Sequence, residues 1–400
     1  MPKQIHVKKI ETVYTPSPFY NSSSVFHVPQ LPDSSLTISI PNSCKSKSNL
    51  PSLLFSFLLL TGLVEEFRKN LQLRKLWFVF YFLLLSQILD VLVMCTINFH
   101  GGVTLKKHTT YFFALFCNLI TWHSLRRKKN KLTNVLRMFG KLCPAVHSKR
   151  TSVTVLIILS FPFIFSTIIT LLCNKTLASL FYAYGYELKS LTLQVCVISI
   201  KTFLMFLAQT TYPSLVAVLF CNLCMRWSSY YNCLTRKVLE YSSEKFGPLE
   251  QIHILKQKAR VDDILEKLQD IFSLPSFFVI LSNFLTCCST LGIILTGHPS
   301  KITLVTAVFV GIPNLVSLVV VLWVAGGLPV EQDKLKDAFF KRAHYRYLLV
   351  LSSEEQQFKR EILDKPDFVL NGCNIFSYTR NSFLTLIGTL LTYALLIYQN

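Results

Sequence analysis

Charge is scarce in this 400-residue chain: Asp, Glu, Lys and Arg make up 16% of it, against 51% hydrophobic residues. That balance argues against an ordinary soluble enzyme. Acid is scarcer still, with 21 acidic residues against 41 basic ones and a net charge of +20. Such a surplus can serve nucleic acid. Here, however, the basic residues sit between apolar runs and follow no RRM, zinc-finger or helix-turn-helix pattern, so no nucleic-acid partner is expected. Catalytic signatures are missing too. There is no P-loop, HExxH, GxSxG or dinucleotide fingerprint, and His100, His108, His123 and His147 are not spaced as metal ligands. The chain therefore reads as a non-enzyme without cofactor or metal. Its twelve cysteines show no secreted disulfide spacing, and Cys221-x-x-Cys224 lies on the flank of an apolar helix, where packing is the simpler role. No cleavable signal peptide is expected, because the first apolar run begins near residue 50.

What is present is a succession of apolar runs. Residues 1–49 are rich in Pro, Ser and Lys and read as a mobile cytosolic tail, with an Asn21-Ser22-Ser23 sequon expected to go unused. Leu50–Val64 is apolar but short, so 50–75 reads as a re-entrant or interfacial helix and linker. Seven clearer spans follow: Leu76–Phe99, Thr109–Leu125, Ser152–Cys173, Leu191–Trp227, Ile271–Thr296, Ile302–Ala325 and a last one in 376–400. The expected fold is an all-α polytopic membrane protein of seven transmembrane helices. Four lie in 76–227, two in 271–325 and one in 376–400, with helical cytosolic segments at 228–270 and 326–375. Counting Lys and Arg by loop gives 34 on one side against five on the other, which places the N-terminus in the cytosol and the C-terminus outside. The inner loops carry helical apolar stripes, such as Val261, Ile264, Leu265, Leu268, Ile271 and Phe272, which need a surface to bury against.

Two intramembrane charges stand out, Asp90 in the first span and Lys201 in the fourth, at similar depth from the outer end. Each costs about 2.5–3.5 kcal/mol at a span centre, so each needs water or a partner, and an ion pair between them is one solution. Asn174-Lys175-Thr176 is a sequon on the outer side by this topology and makes Asn174 a candidate glycosylation site.

The final span is uncharged from Phe383 to Tyr398, yet Thr385, Thr389, Thr392, Leu396 and Gln399 fall on one helical face. Lipid offers hydroxyls no partner. Either the threonines bond their own i−4 carbonyls and pack between helices, or several copies of the stripe line an aqueous pore.

Thr392-Tyr393, five residues and then Gln399 resemble the C-terminal TYhhhhhQF signature of insect gustatory receptors. Cys373 to Thr379 and Gly388 are similar to that family's lead-in. Asn374 stands where many members have glycine, and Asn400 where the family ends in Phe. The resemblance implies a tastant-gated, non-selective cation channel of the plasma membrane. It would assemble as a homotetramer or a heteromer with related receptors, held by the inner helical segments. A small-molecule tastant, by default a bitter or plant-derived compound, is implied as ligand, and a sugar-responsive member is the nearby variant. The implied pocket opens outward between spans two, three, four and six, where Phe112, Phe113, Phe116, Phe165, Gln194, Lys201, Thr303 and Thr306 lie. The implied gate is Leu396, Gln399 and Asn400. The alternative from another class is a secondary transporter of a small organic solute, which an internal repeat would favour; the sequence shows none.

Overall fold

The computed structural model describes residues 51–65, 73–97, 102–142, 148–295, 301–349, 358, 360, 362 and 368–399. The tail with its Asn21 sequon, the turn at 297–300 and Asn400 fall outside the described residues. The fold is all-helical. In order it comprises α1 (Ser52–Leu60), α2 (Leu73–Ile97), α3 (Gly102–Arg127), α4 (Lys129–Leu142), α5 (Ser148–Leu172) and α6 (Lys175–Tyr182). Next come α7 (Leu191–Phe206), a π turn at Leu207–Thr211, α8 (Tyr212–Glu240), α9 (Pro248–Leu295) and α10 (Lys301–Thr306). A second π turn (Ala307–Gly311), α11 (Ile312–Ala325), α12 (Gly327–Leu349), a short hairpin and α13 (Arg380–Gln399) complete it.

Five stretches among the described residues are long and apolar enough to cross a membrane: Trp77–Ile97, Lys149–Leu172, Leu191–Glu240, Pro248–Gly292 and Lys301–Arg346. The last three are 50, 45 and 46 residues long. At 1.5 Å per residue each far exceeds a hydrocarbon layer of about 30 Å. α3 and α13 have spanning length but carry more polar residues, α3 through Lys106, Lys107, Arg126 and Arg127 and α13 through Arg380, Asn381 and Ser382. α3 also begins at Gly102, seven residues ahead of the expected start of the second span.

α1 is nine residues long, too short to cross, and buries Leu54, Phe57 and Leu58 at helical spacing. Its end is fastened to α3: the Trp122 indole donates to the Thr61 carbonyl at 3.1 Å, and Arg126 donates to the Gly62 carbonyl while lying over the Trp77 ring. On the inner helices the apolar stripe of α9 (Val261, Ile264, Leu265, Leu268, Ile271 and Phe272) is buried within the single chain. Beside it Lys258 pairs with Asp262 at 2.7 Å, and the Tyr231 hydroxyl donates to the same carboxylate at 2.9 Å. Gln332 of α12 then joins Tyr231 at 3.4 Å and accepts from the Phe368 N–H at 2.8 Å.

The segment before the last helix corrects the sequence reading. A helix was expected from Phe376, but the helix starts at Arg380, and 371–377 forms a two-stranded antiparallel hairpin pairing Asn371 with Ser377 and Gly372 with Phe376. Cys373 and Asn374 both take positive φ, 55° and 57°, as the central residues of a primed turn do. A side chain at Gly372 would stand 2.5 Å from the Tyr378 hydroxyl, so only glycine lets that ring close over the turn. Periodicity could not reveal this, because a three-residue turn is too short to carry any.

Both π turns precede an X-Pro pair, Tyr212-Pro213 and Ile312-Pro313. Proline brings no N–H to the helix and widens or bends it there. The Ala208 carbonyl, five residues before Pro213, takes its hydrogen from Asn118 Nδ2 instead, at 3.1 Å. This bond opens a ring across four helices. Asn314 Nδ2 donates to Thr210 Oγ1 at 3.4 Å and to the Val310 carbonyl at 2.6 Å. Asn283 Nδ2 donates to Ser317 Oγ at 2.9 Å, and Ser282 Oγ donates to the Ala114 carbonyl at 3.2 Å, one turn before Asn118. Asn118, Asn283 and Asn314 are wholly buried, yet their Oδ1 atoms and Gln209 Nε2 have no partner among the described residues. Each unpaired buried group costs about 1–3 kcal/mol, against a typical total stability of about 5–15 kcal/mol.

Candidate functional site

Three polar features on apolar elements are candidates. The first is the face of α13. Phe383 and Leu386 pack against the main core and Leu390 is buried in it; Phe383 sits edge-on to Trp323 of α11, whose ring also lies 5.1 Å beneath Arg380. The opposite face is exposed in the single chain: Thr385, Gly388, Thr389, Thr392 and Leu396, with Leu384, Leu391 and Tyr393 beside them. Thr385, Thr389 and Thr392 each donate to the i−4 carbonyl, at 3.3, 2.9 and 2.8 Å, so their hydrogens are used within the helix. Their second lone pairs still point outward from an unpacked surface. Gln399 ends the helix; its side chain and Asn400 lie outside the described residues.

The second is a charged cluster between the middle parts of α2 and α7. Lys201 pairs with Asp90, and the Tyr184 hydroxyl donates to the same carboxylate oxygen. Lys201 Nζ also lies 2.6 Å from that hydroxyl and 4.2 Å from the ring centroid. Tyr184 reaches the pair from the loop after α6, where it takes φ 56° and Gly185 takes φ 93°. Burial, followed by the bond to Asp90, raises the Tyr184 phenol above its ordinary pKa, which keeps it a donor. Tyr184 carries no sequence signal, since a single left-handed residue in a loop has no period or motif.

The third is the outer bundle. Phe165 is buried in a small apolar cluster with Ile169, Phe206 and Val310, separate from the main core, and its ring centroid is 4.8 Å from Phe206 and 5.8 Å from Phe309. Phe112 stacks on Phe116 at 6.3 Å and meets Phe113 edge-on, and both Phe113 and Phe116 are exposed. Among the described residues no ring contact joins those two groups. Gln194 is buried and donates to the Leu188 carbonyl at 2.6 Å, Thr306 donates to Ile302 at 2.9 Å, and Thr303 is half-buried. Phe112, Phe113 and Phe116 thus form one aromatic group and Phe165 belongs to another. Asn174 is exposed and caps α6, its Oδ1 accepting from the Leu177 N–H at 3.4 Å, which leaves the amide nitrogen outward. Among the described residues no three His, Cys, Asp or Glu side chains gather as for a metal. Cys221 and Cys224 are buried free thiols.

No protein-family model matches the chain, and no curated protein matches it by sequence. Its fold does match solved structures. The insect olfactory receptor OR5 from Machilis hrabei superposes with a TM-score of 0.65 at 14% identity, over 86% of this chain and 96% of that one. The same receptor in complex with eugenol superposes with a TM-score of 0.60 at 12% identity, over the same shares. The chain thus has the all-helical, multi-pass membrane fold of an insect olfactory receptor.

Proposed function

We propose that this chain is a chemosensory receptor subunit that opens a cation-conducting pore when a small organic molecule binds its outer bundle. The observation that carries this reading is the exposed threonine face of α13. The opposite face of that helix is packed, and a row of three hydroxyls left uncovered on one face suits contact with water better than contact with lipid. Copies of the chain, or of related subunits, placed around a common axis would turn that row toward water. Four such helices would put Leu396 on the axis as a dewetted constriction, with the side-chain amides of Gln399 and Asn400 beyond it. The stripe holds no acid, so discrimination among monovalent cations is weak. The ligand class is a modest-sized organic molecule, and the aromatic walls around Phe165 and Phe112 suit one. The fold likeness to a receptor solved with eugenol supports that class. Within the class, the C-terminal Thr392-Tyr393 and Gln399 pattern favours a taste receptor for bitter or plant-derived compounds, working in the plasma membrane as a tetramer.

Cysteines placed singly at Thr385, Thr389 and Thr392 in cells expressing the chain test the reading. Each is expected to react with a soluble thiol reagent and to lose ligand-evoked current, while cysteines at Leu386 and Leu390 stay inert. Inert stripe positions beside reactive packed ones would end the pore reading.

A further inference from the structure

The ring where α3, α9 and the two π turns meet is not used by the pore or by the outer bundle. It is a closed circuit of side-chain bonds, and at each corner one buried polar atom is left over. The orientation of two of its amides is fixed by chemistry. Asn118 and Asn314 each face a backbone carbonyl, which only accepts, so the atom turned toward it is nitrogen and the leftover atom is oxygen. Asn283 leaves a third oxygen, and Gln209 leaves a nitrogen, which needs an acceptor.

We propose that this ring is a binding site for ordered water, held in the middle of the bundle at the level where α7–α8 and α10–α11 break. The composition of the leftover atoms selects the occupant. Each water carries two donors and two acceptors, so two or more waters can between them serve the three amide oxygens and the one N–H. A monovalent cation would satisfy the oxygens but oppose the Gln209 N–H, and the ring contains no carboxylate to balance a buried charge. An apolar guest would leave every one of these atoms unpaired. Close packing frames the site: a side chain at Gly311 would meet Thr290 Cγ2 at 2.9 Å, and the Cys287 thiol reaches the Gly311 carbonyl at 3.9 Å.

The test uses the full chain in lipid nanodiscs and hydroxyl radicals generated by X-ray radiolysis, which form at bound water and oxidise side chains near it. Cys287 lies one turn beyond Asn283 on α9, and Cys221 of α8 has the same 4% exposure, so bulk access does not separate them. With water in the ring, Cys287 is oxidised about five-fold or more faster than Cys221. In the Asn118→Leu, Asn314→Leu double variant, shown to be folded by size exclusion, the two rates converge. Equal rates in the unaltered chain overturn the proposal, and so does a fast Cys287 that the double variant leaves unchanged. If the variant does not fold, the comparison of the two cysteines in the unaltered chain decides alone.

Discussion

The charged cluster of Asp90, Lys201 and Tyr184 and the threonine face of α13 are both polar insertions into apolar helices, but the chain treats them in opposite ways. Both charged groups of the cluster find a partner inside the fold, drawn from two helices and a loop. The threonines satisfy only their hydrogens, by bonds within one helix, and show their remaining oxygen surface to the outside. Polar groups that a chain satisfies internally hold it in shape. Those left on a packed helix's open face point to something the single chain does not contain. The inner network around Asp262 belongs with the cluster by this criterion, and the cysteine scan of α13 probes the other side of the contrast.

The contrast predicts that internally satisfied groups are costly to break. The largest effect belongs to Asp262, whose carboxylate is matched by buried Lys258 and by Tyr231. Asp262→Ala strands an ammonium among apolar helices and is expected to cost about 3–5 kcal/mol, read as a lower unfolding midpoint in detergent. A midpoint within the scatter of surface variants would mean that Lys258 simply swings out to water. Asp90→Ala comes next. It leaves Lys201 without its counter-charge, and the cost of one such charge at a span centre, about 2.5–3.5 kcal/mol, sets the scale. The swapped pair, Asp90→Lys with Lys201→Asp, should recover much of the lost surface expression. If it behaves no better than either single change, the pair contributes nothing.

Much of the fold was legible because helices announce themselves by run length and period. The all-helical character, the helices longer than a bilayer and the buried stripe from Val261 to Phe272 all follow from patterns of ten residues or more. Asp90 and Lys201 were conspicuous as charges in apolar surroundings. That the two lie within bonding reach of each other is a tertiary fact, and depth along the spans could only make it geometrically open. Features of three or four residues were beyond reach. The hairpin at 371–377 depends on two residues in left-handed conformation, and at the first π turn the carbonyl of Ala208 finds Asn118 on another helix. Tyr184 belongs here too. The separation of the Phe112 group from Phe165 has the same cause, since sharing a depth does not bring rings into contact.

Asp270 marks the weak end of the scale, since its partners are internal but its surroundings are wet. It lies in α9 and meets Lys128 and Lys131, both at 2.8 Å, with its side chain 46% exposed. The bonds from Lys128 and then Lys131 hold its carboxyl below the ordinary aspartate value. A carboxyl depressed in the folded state binds its proton more weakly there than in the unfolded chain. Its contribution is therefore complete above the unfolded value, about pH 4, and disappears as pH falls through the lower folded value. Solvent screening at this exposure limits it to about 0–1 kcal/mol. The difference in unfolding midpoint between the native chain and Asp270→Asn should be small at pH 7 and absent in acid, and should shrink with added salt as well. A difference that survives both would assign Asp270 to the buried class, alongside Asp262, and the boundary between satisfied and exposed polar groups would have to be moved outward by a helical turn.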